Sequence, residues 1–112
     1  MARIAEVAFF TDDVPKLAGF YERVLGAPPV TSSETHASFE VGGTILFIHV
    51  SGDTNHGVPN ADHVAFALDQ DAAAARAREA GAEVIGPRYF YWGRSAYLRD
   101  PEGRLLELQA ES

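Results

Sequence analysis

The strongest constraint on this chain is that it repeats itself. Glu6-Val7-Ala8-Phe9 reappears as His63-Val64-Ala65-Phe66, and Gly43-Thr44-Ile45-Leu46-Phe47-Ile48 reappears as Gly103-Arg104-Leu105-Leu106-Glu107-Leu108. The two pairs are separated by nearly the same length of chain, and the small drift between them is what loop changes produce. A repeat of this length implies two copies of one supersecondary unit packed together. Each copy's sheet would curl and leave a cleft.

The segments between the repeated stretches agree with that picture. Residues 4–11 read as a strand, with Glu6 standing where an apolar residue is expected. Asp12-Asp13-Val14-Pro15 opens a helix with an Asp cap and a proline in its first turn. Leu17, Phe20, Tyr21, Val24 and Leu25 follow at helical spacing as one apolar face, and Gly26 ends the helix. Pro28-Pro29 leads into a short extended piece near Val30. Residues 36–41 alternate, Gly42-Gly43 turns, and residues 44–50 form a strongly apolar strand. Residues 51–60 have loop composition. Residues 61–68 are a strand again, Asp69 or Asp71 caps an alanine-rich helix, and Gly81 ends it. The solvated face of that helix carries Arg76, Arg78 and Glu79. Residues 83–85 read as a short strand broken by Gly86-Pro87. Residues 95–99 and 105–109 make a hairpin around Asp100-Pro101-Glu102-Gly103, where Pro presets φ and Gly supplies φ > 0. Each half reads β-α-β-β-β. The expected fold is α+β: two tandem βαβββ modules, about 1–52 and about 60–112, forming a curled mixed sheet cleft flanked by helices in one domain, 1–112.

Composition narrows the function classes. The chain is acidic, with formal net charge −7, so it lacks the basic footprint of a nucleic-acid binder. It has no cysteine, which excludes disulfides, thiolate catalysis and thiolate metal sites. No apolar run is long enough to span a bilayer, and the first residues lack the apolar core of a signal peptide. A cytoplasmic protein is the default expectation.

Glu107 is the oddity. It lies between Leu106 and Leu108, in a strand with apolar residues on both faces. A carboxylate buried there alone would cost several kcal/mol or hold a proton. It needs a partner: a metal, a cationic side chain or a polar cleft.

The repeat, the Phe20-Tyr21-x-x-Val24-Leu25-Gly26 helix end, the His63-Val64-Ala65-Phe66 strand and Tyr97-Leu98-Arg99-Asp100-Pro101-Glu102-Gly103 followed by Glu107 together resemble the vicinal oxygen chelate superfamily. That group includes glyoxalase I, fosfomycin-resistance transferases, methylmalonyl-CoA epimerase, extradiol dioxygenases and bleomycin-resistance proteins. The resemblance covers essentially the whole chain and specifies a fold, not a reaction. In metal-using relatives the ligands come from the first strand of each repeat and the last strand of one or both. Carried over, those positions are Glu6, His63, Phe47 and Glu107. Phe47 cannot bind a metal, so the resemblance implies a three-ligand site, with Glu6 standing where such families more often carry His.

Two carboxylates and an imidazole suit a divalent ion: Mn²⁺, Fe²⁺, Zn²⁺, Ni²⁺ or Mg²⁺. Three protein ligands leave positions for two neighbouring substrate oxygens. Glu107 or Glu6 could also move a proton as a catalytic base. The competing structural arrangement is a buried Glu6–His63 ion pair, with Glu107 bonded to Arg94, Tyr97 or backbone.

Other candidates surround this set. His49 follows Phe47 by two on the same strand face and could reach the cleft, although a half-buried strand end is its plainer place. His36 and His56 read as exposed. Tyr91, Trp92 and Arg94, from the aromatic stretch of residues 88–94, would wall a cleft for a planar or anionic small molecule, or complete a core or dimer contact. Tyr97, Phe39 and Phe47 could line the same cleft, with core packing the safer place for each. The alternative to a metal enzyme is a metal-free binding protein that sequesters a drug in an aromatic groove, as bleomycin-resistance proteins do. A homodimer is expected under either reading.

Overall fold

The computed structural model describes residues 2–52 and 61–111. Most of the expected loop at residues 51–60, with His56, lies outside the described residues. Among those described are eight strands and two helices: β1 (Arg3–Thr11), α1 (Val14–Leu25), β2 (Thr31–Ser32), β3 (His36–Val41), β4 (Thr44–Val50), β5 (His63–Leu68), α2 (Gln70–Glu79), β6 (Val84–Phe90), β7 (Gly93–Arg99) and β8 (Leu105–Ala110). They form one eight-stranded sheet in the order β2-β3-β4-β1-β5-β8-β7-β6. That order reads the same for both halves from the centre outwards, as the repeat requires.

The register places equivalent residues equivalently. β1 and β5 run antiparallel at the centre, with Glu6 opposite Ala65 and Ala8 opposite His63. β4 lies parallel to β1 with Phe47 beside Ala8, and β8 lies parallel to β5 with Glu107 beside Ala65. Glu6 and His63 are therefore matched across the centre, as are Phe47 and Glu107.

One face of the sheet packs on the helices. Asp13 caps α1 by accepting from the Lys16 amide at 3.1 Å, and Gly26 closes it in the left-handed conformation with φ of 70°. Val14 and Ala18 bury against Phe39, Leu46 and Ile48, with Leu17 and Tyr21 partly buried beside them. The apolar face read from the sequence is wider than the surface it covers: Phe20 and Val24 stay 57% and 62% exposed. Asp69 caps α2, whose Ala73 and Ala74 pack on Ala96 and Leu108. Gln70, at the start of α2, donates to the carbonyls of Arg94 and Leu108 and so ties β7 to β8.

The hairpin that ends the chain folds as its residues dictate. Asp100 Oδ1 accepts from the Glu102 and Arg104 amides, and the Gly103 amide closes on the Asp100 carbonyl at 2.9 Å. Gly86-Pro87 behaves otherwise than expected. It does not break the strand. β6 runs through it as an irregularity in the pairing with β7 between Ile85 and Arg88. Proline lacks an amide to pair, but β6 is the sheet's edge and tolerates the loss.

Gly86 is irreplaceable for a local reason. Its φ is 87°, and a Cβ there would stand 2.8 Å from both the Arg88 nitrogen and the Ser95 oxygen. Both are backbone atoms, Arg88 in β6 itself and Ser95 in β7, so β6 would have to rebuild locally and also move off β7. Gly86→Ala should lower stability by about 2 kcal/mol or more. A lowered urea midpoint with unchanged slope checks this, whereas a wild-type midpoint refutes it.

Candidate metal centre

Strand alternation puts residues of one parity on the face away from the helices. There β1 contributes Glu6 and Phe10, β4 contributes Phe47 and His49, and β8 contributes Glu107 and Gln109. With His63 and Tyr97 they line a cup of about 160 Å³, with Tyr91 and Trp92 at its rim. Tyr91 is 75% exposed, whereas Tyr97 is buried.

Glu6, His63 and Glu107 converge in this cup. Each offers a ligand atom, and these atoms lie within 4.8 Å of one another. His63 Nε2 stands 3.2 Å from Glu107 Oε1, with both side chains nearly buried, at 6% and 4% exposure. Its Nδ1 lies 2.8 Å from the Ala61 carbonyl, which can only accept, so Nδ1 carries a proton. In the neutral ring, Nε2 is then a lone pair aimed at a carboxylate oxygen. Two acceptors so placed need positive charge between them: a proton on the ring or a cation shared with the carboxylates. The donor set thus fits a divalent ion, and the Ala61 hydrogen bond is the kind that orients an imidazole ligand.

Glu107 is further held by Ser95, whose hydroxyl donates to Oε2 at 2.7 Å. Trp92 Nε1 in turn donates to Ser95 Oγ at 3.2 Å. One carboxylate oxygen is fixed by this chain and the other faces His63, and Gln109 and Tyr97 also hydrogen-bond the group.

The electrostatics follow from the crowding. Burial, with the Glu107 charge beside it, pushes the Glu6 carboxyl up to about 7. Burial also works against charge on Glu107, but hydrogen bonds from His63 and Ser95 outweigh it and hold that carboxyl below its ordinary value. Burial disfavours the His63 cation, yet the Glu107 hydrogen bond and the Ala61 carbonyl raise its pKa on balance. Burial and the Glu107 charge raise the Tyr97 pKa, so its hydroxyl keeps its proton.

The remaining sequence candidates separate by strand face. Phe47, His49, Tyr91, Trp92 and Tyr97 line the cup. Arg94 does not. It is adjacent to Ser95 in β7, hence on the opposite face, where it pairs with Asp71 at 2.8 Å and donates to Gln70. The expectation that Arg94 reaches a cleft ligand is corrected by that parity. The arrangement with Glu107 on Arg94 fails for the same reason. Phe39 is core rather than cleft, and His36 is half-buried, not exposed, with its Nδ1 3.1 Å from Ser33 Oγ. Ser95, Gln109 and Phe10 were missed. Each lies an even number of residues from a candidate on its own strand, so alternation alone would have found them.

Comparison with known proteins agrees with the architecture. Residues 3–108 match the model of the Glyoxalase/Bleomycin resistance protein/Dioxygenase superfamily, and the chain belongs to that family. The metallothiol transferase FosB of Shouchella clausii is 32% identical, covering 94% of this chain and 77% of that protein. CFP32 of Mycobacterium tuberculosis, named as a candidate glyoxylase, is 37% identical over 86% of this chain, which spans only 40% of that longer protein. Methylmalonyl-CoA epimerase of Streptomyces coelicolor shares the fold, with a TM-score of 0.69 and 24% identity over 98% of this chain and 97% of that one.

The charge state gives a signed prediction for metal-free protein. Glu6 binds its proton more tightly folded than unfolded. The stability this adds is full below pH 4.5 and is lost as pH rises through about 7. Glu107 shifts the opposite way, so its contribution fades only at more acidic pH. The thermal midpoint should therefore fall across that window, and Glu6→Gln should flatten the fall. Thermal scans of both proteins check it; a slope unchanged by Glu6→Gln contradicts the assignment.

Proposed function

We propose that this chain is a metal-dependent enzyme of the glyoxalase type, a lyase, isomerase or transferase. Its substrate is a small molecule whose neighbouring oxygens share a divalent ion with Glu6, His63 and Glu107. The observation that carries the reading is the convergence of those three donor atoms within 4.8 Å in a half-open cup. The FosB relative's name, a metallothiol transferase, also speaks for a metal. Such an ion supplies Lewis acidity, stabilising negative charge that develops on a substrate oxygen.

The chain's own residues take the other roles. Glu6 and Glu107 are the candidate bases, since both line the cup and a carboxylate can take and return a proton. Tyr97, with its hydroxyl protonated and hydrogen-bonded to Glu107, helps hold that carboxylate in place. Phe47, His49, Tyr91 and Trp92 wall the cup and exclude water from the reacting atoms. The oxygen-rich donor set admits Mn²⁺, Fe²⁺, Zn²⁺, Ni²⁺ or Mg²⁺, with the imidazole favouring the transition ions.

A homodimer in the cytoplasm completes the reading. The exposed Phe20, Val24 and Val30 give α1 and its neighbourhood apolar surface that a second copy would cover. Among the described residues no helix is long and apolar enough to cross a membrane. The alternative, metal-free sequestration of a drug, has the aromatic walls in its favour. It makes the His63–Glu107 contact a buried ion pair and, among the described residues, gives Glu6 beside it no partner of opposite charge of its own.

Elemental analysis of protein purified without chelator tests the proposal. About one divalent ion per chain is expected. His63→Ala should lower metal affinity by more than the ~10–100-fold typical of losing an outer-shell partner. Wild-type protein that arrives empty, and gains no thermal stability from added Mn²⁺, Ni²⁺ or Zn²⁺, overturns it.

A further inference from the structure

The cup contains fixed negative charge and no fixed positive charge. Glu6 and Glu107 both line it, and among the described residues no lysine or arginine does. Residues 53–60 contain neither type. The two arginines nearest in sequence are turned elsewhere: Arg94 is paired with Asp71, and the Arg88 guanidinium stands 4.7 Å over the Phe90 ring, outside the lining.

That census bears on substrate charge. A divalent ion held by two carboxylates and one neutral imidazole has formal charge zero. An anionic substrate entering such a site would lose its hydration without meeting net positive charge. It would also approach the Glu6 and Glu107 carboxylates at short range in a partly water-excluded space, where like charges repel strongly. An uncharged substrate avoids both costs.

Size and lining add a second constraint. The cup measures about 160 Å³. A cavity of about 150 Å³ in another protein accommodates one benzene. Its walls include Phe10, Phe47, Tyr97 and Trp92, which offer ring faces and edges. Trp92 is itself stacked on Phe90 at 4.5 Å with an interplanar angle of 5°, so its indole is held in place at the rim.

We infer that the site takes a small uncharged molecule, about one ring in size where it enters the cup, and discriminates against phosphonates, phosphates and carboxylates. The inference rests on the proposed metal-dependent reading and narrows it. It also parts this chain from any relative whose substrate carries an anionic group. Selectivity here comes from what the cup lacks: the sole positive charge is the ion, and the two carboxylates neutralise it. Tyr97 hydrogen-bonds Glu107, and Gln109 hydrogen-bonds Glu6 and Glu107, so these polar groups of the lining add no charge of their own.

Two probes of equal ring size decide the matter. Catechol is uncharged near neutral pH and carries neighbouring oxygens; phenylphosphonate is anionic. Protein shown by elemental analysis to hold its metal is titrated with each, with the fluorescence of Trp92, the single tryptophan, as readout. Catechol should saturate at a Kd at least tenfold lower than phenylphosphonate. Phe47→Lys, which adds a cation to the lining, should narrow or reverse the ratio, with a thermal scan confirming that it folds. Equal or tighter binding of phenylphosphonate by the metal-loaded wild type overturns the inference and leaves the metal reading standing. Protein that holds no metal overturns that reading instead.

Discussion

The structure turns on one contact: an imidazole nitrogen and a carboxylate oxygen 3.2 Å apart, nearly out of water, with the far side of the imidazole already committed to a carbonyl. Left neutral, the ring turns a lone pair toward another lone pair. The surrounding residues remove the easy escapes. Ser95 holds the second carboxylate oxygen, and β5 and β8 run side by side and fix both backbones. Glu6 adds a second carboxyl whose burial, beside the Glu107 charge, raises its pKa to about 7. Something positive belongs among these three groups, and the choice lies between protons and a cation.

The fold exists to make that convergence possible. Pairing β1 with β5 about the centre of the sheet brings the start of both repeats together, and the parallel β4 and β8 flank them. Equivalent positions then face one another across the cup. In the first repeat the last strand offers Phe47 and in the second it offers Glu107, so the symmetry of the backbone carries an asymmetric site. Three candidate ligands and one aromatic side chain stand at the four equivalent positions, leaving one wall apolar.

Much of this was legible before any coordinates. The repeated stretches located both central strands and their partners, because a duplicated unit must place its copies symmetrically. Glu6 and Glu107 were visible as charges where the strand pattern called for apolar residues. What was not legible had physical causes. Gly86-Pro87 looked like a strand break because proline cannot donate to a ladder, but an edge strand has a side where no donor is needed. The width of the apolar face on α1 was overread because helical spacing says which residues share a face, not how much sheet lies beneath them. Arg94 was misplaced because its neighbours in sequence are aromatic. In a strand, the next residue is on the other side, and the parity that carried Tyr97 into the cup carried Ser95 with it and Arg94 out.

The most direct test is the position of a bound ion. Crystals grown with Mn²⁺ and measured for anomalous scattering should show one strong peak inside the cup. It should lie about 2.0–2.2 Å from His63 Nε2 and from one oxygen each of Glu6 and Glu107. A peak that lies elsewhere, or that touches only the carboxylates while His63 keeps its hydrogen bond to Glu107, would contradict the account.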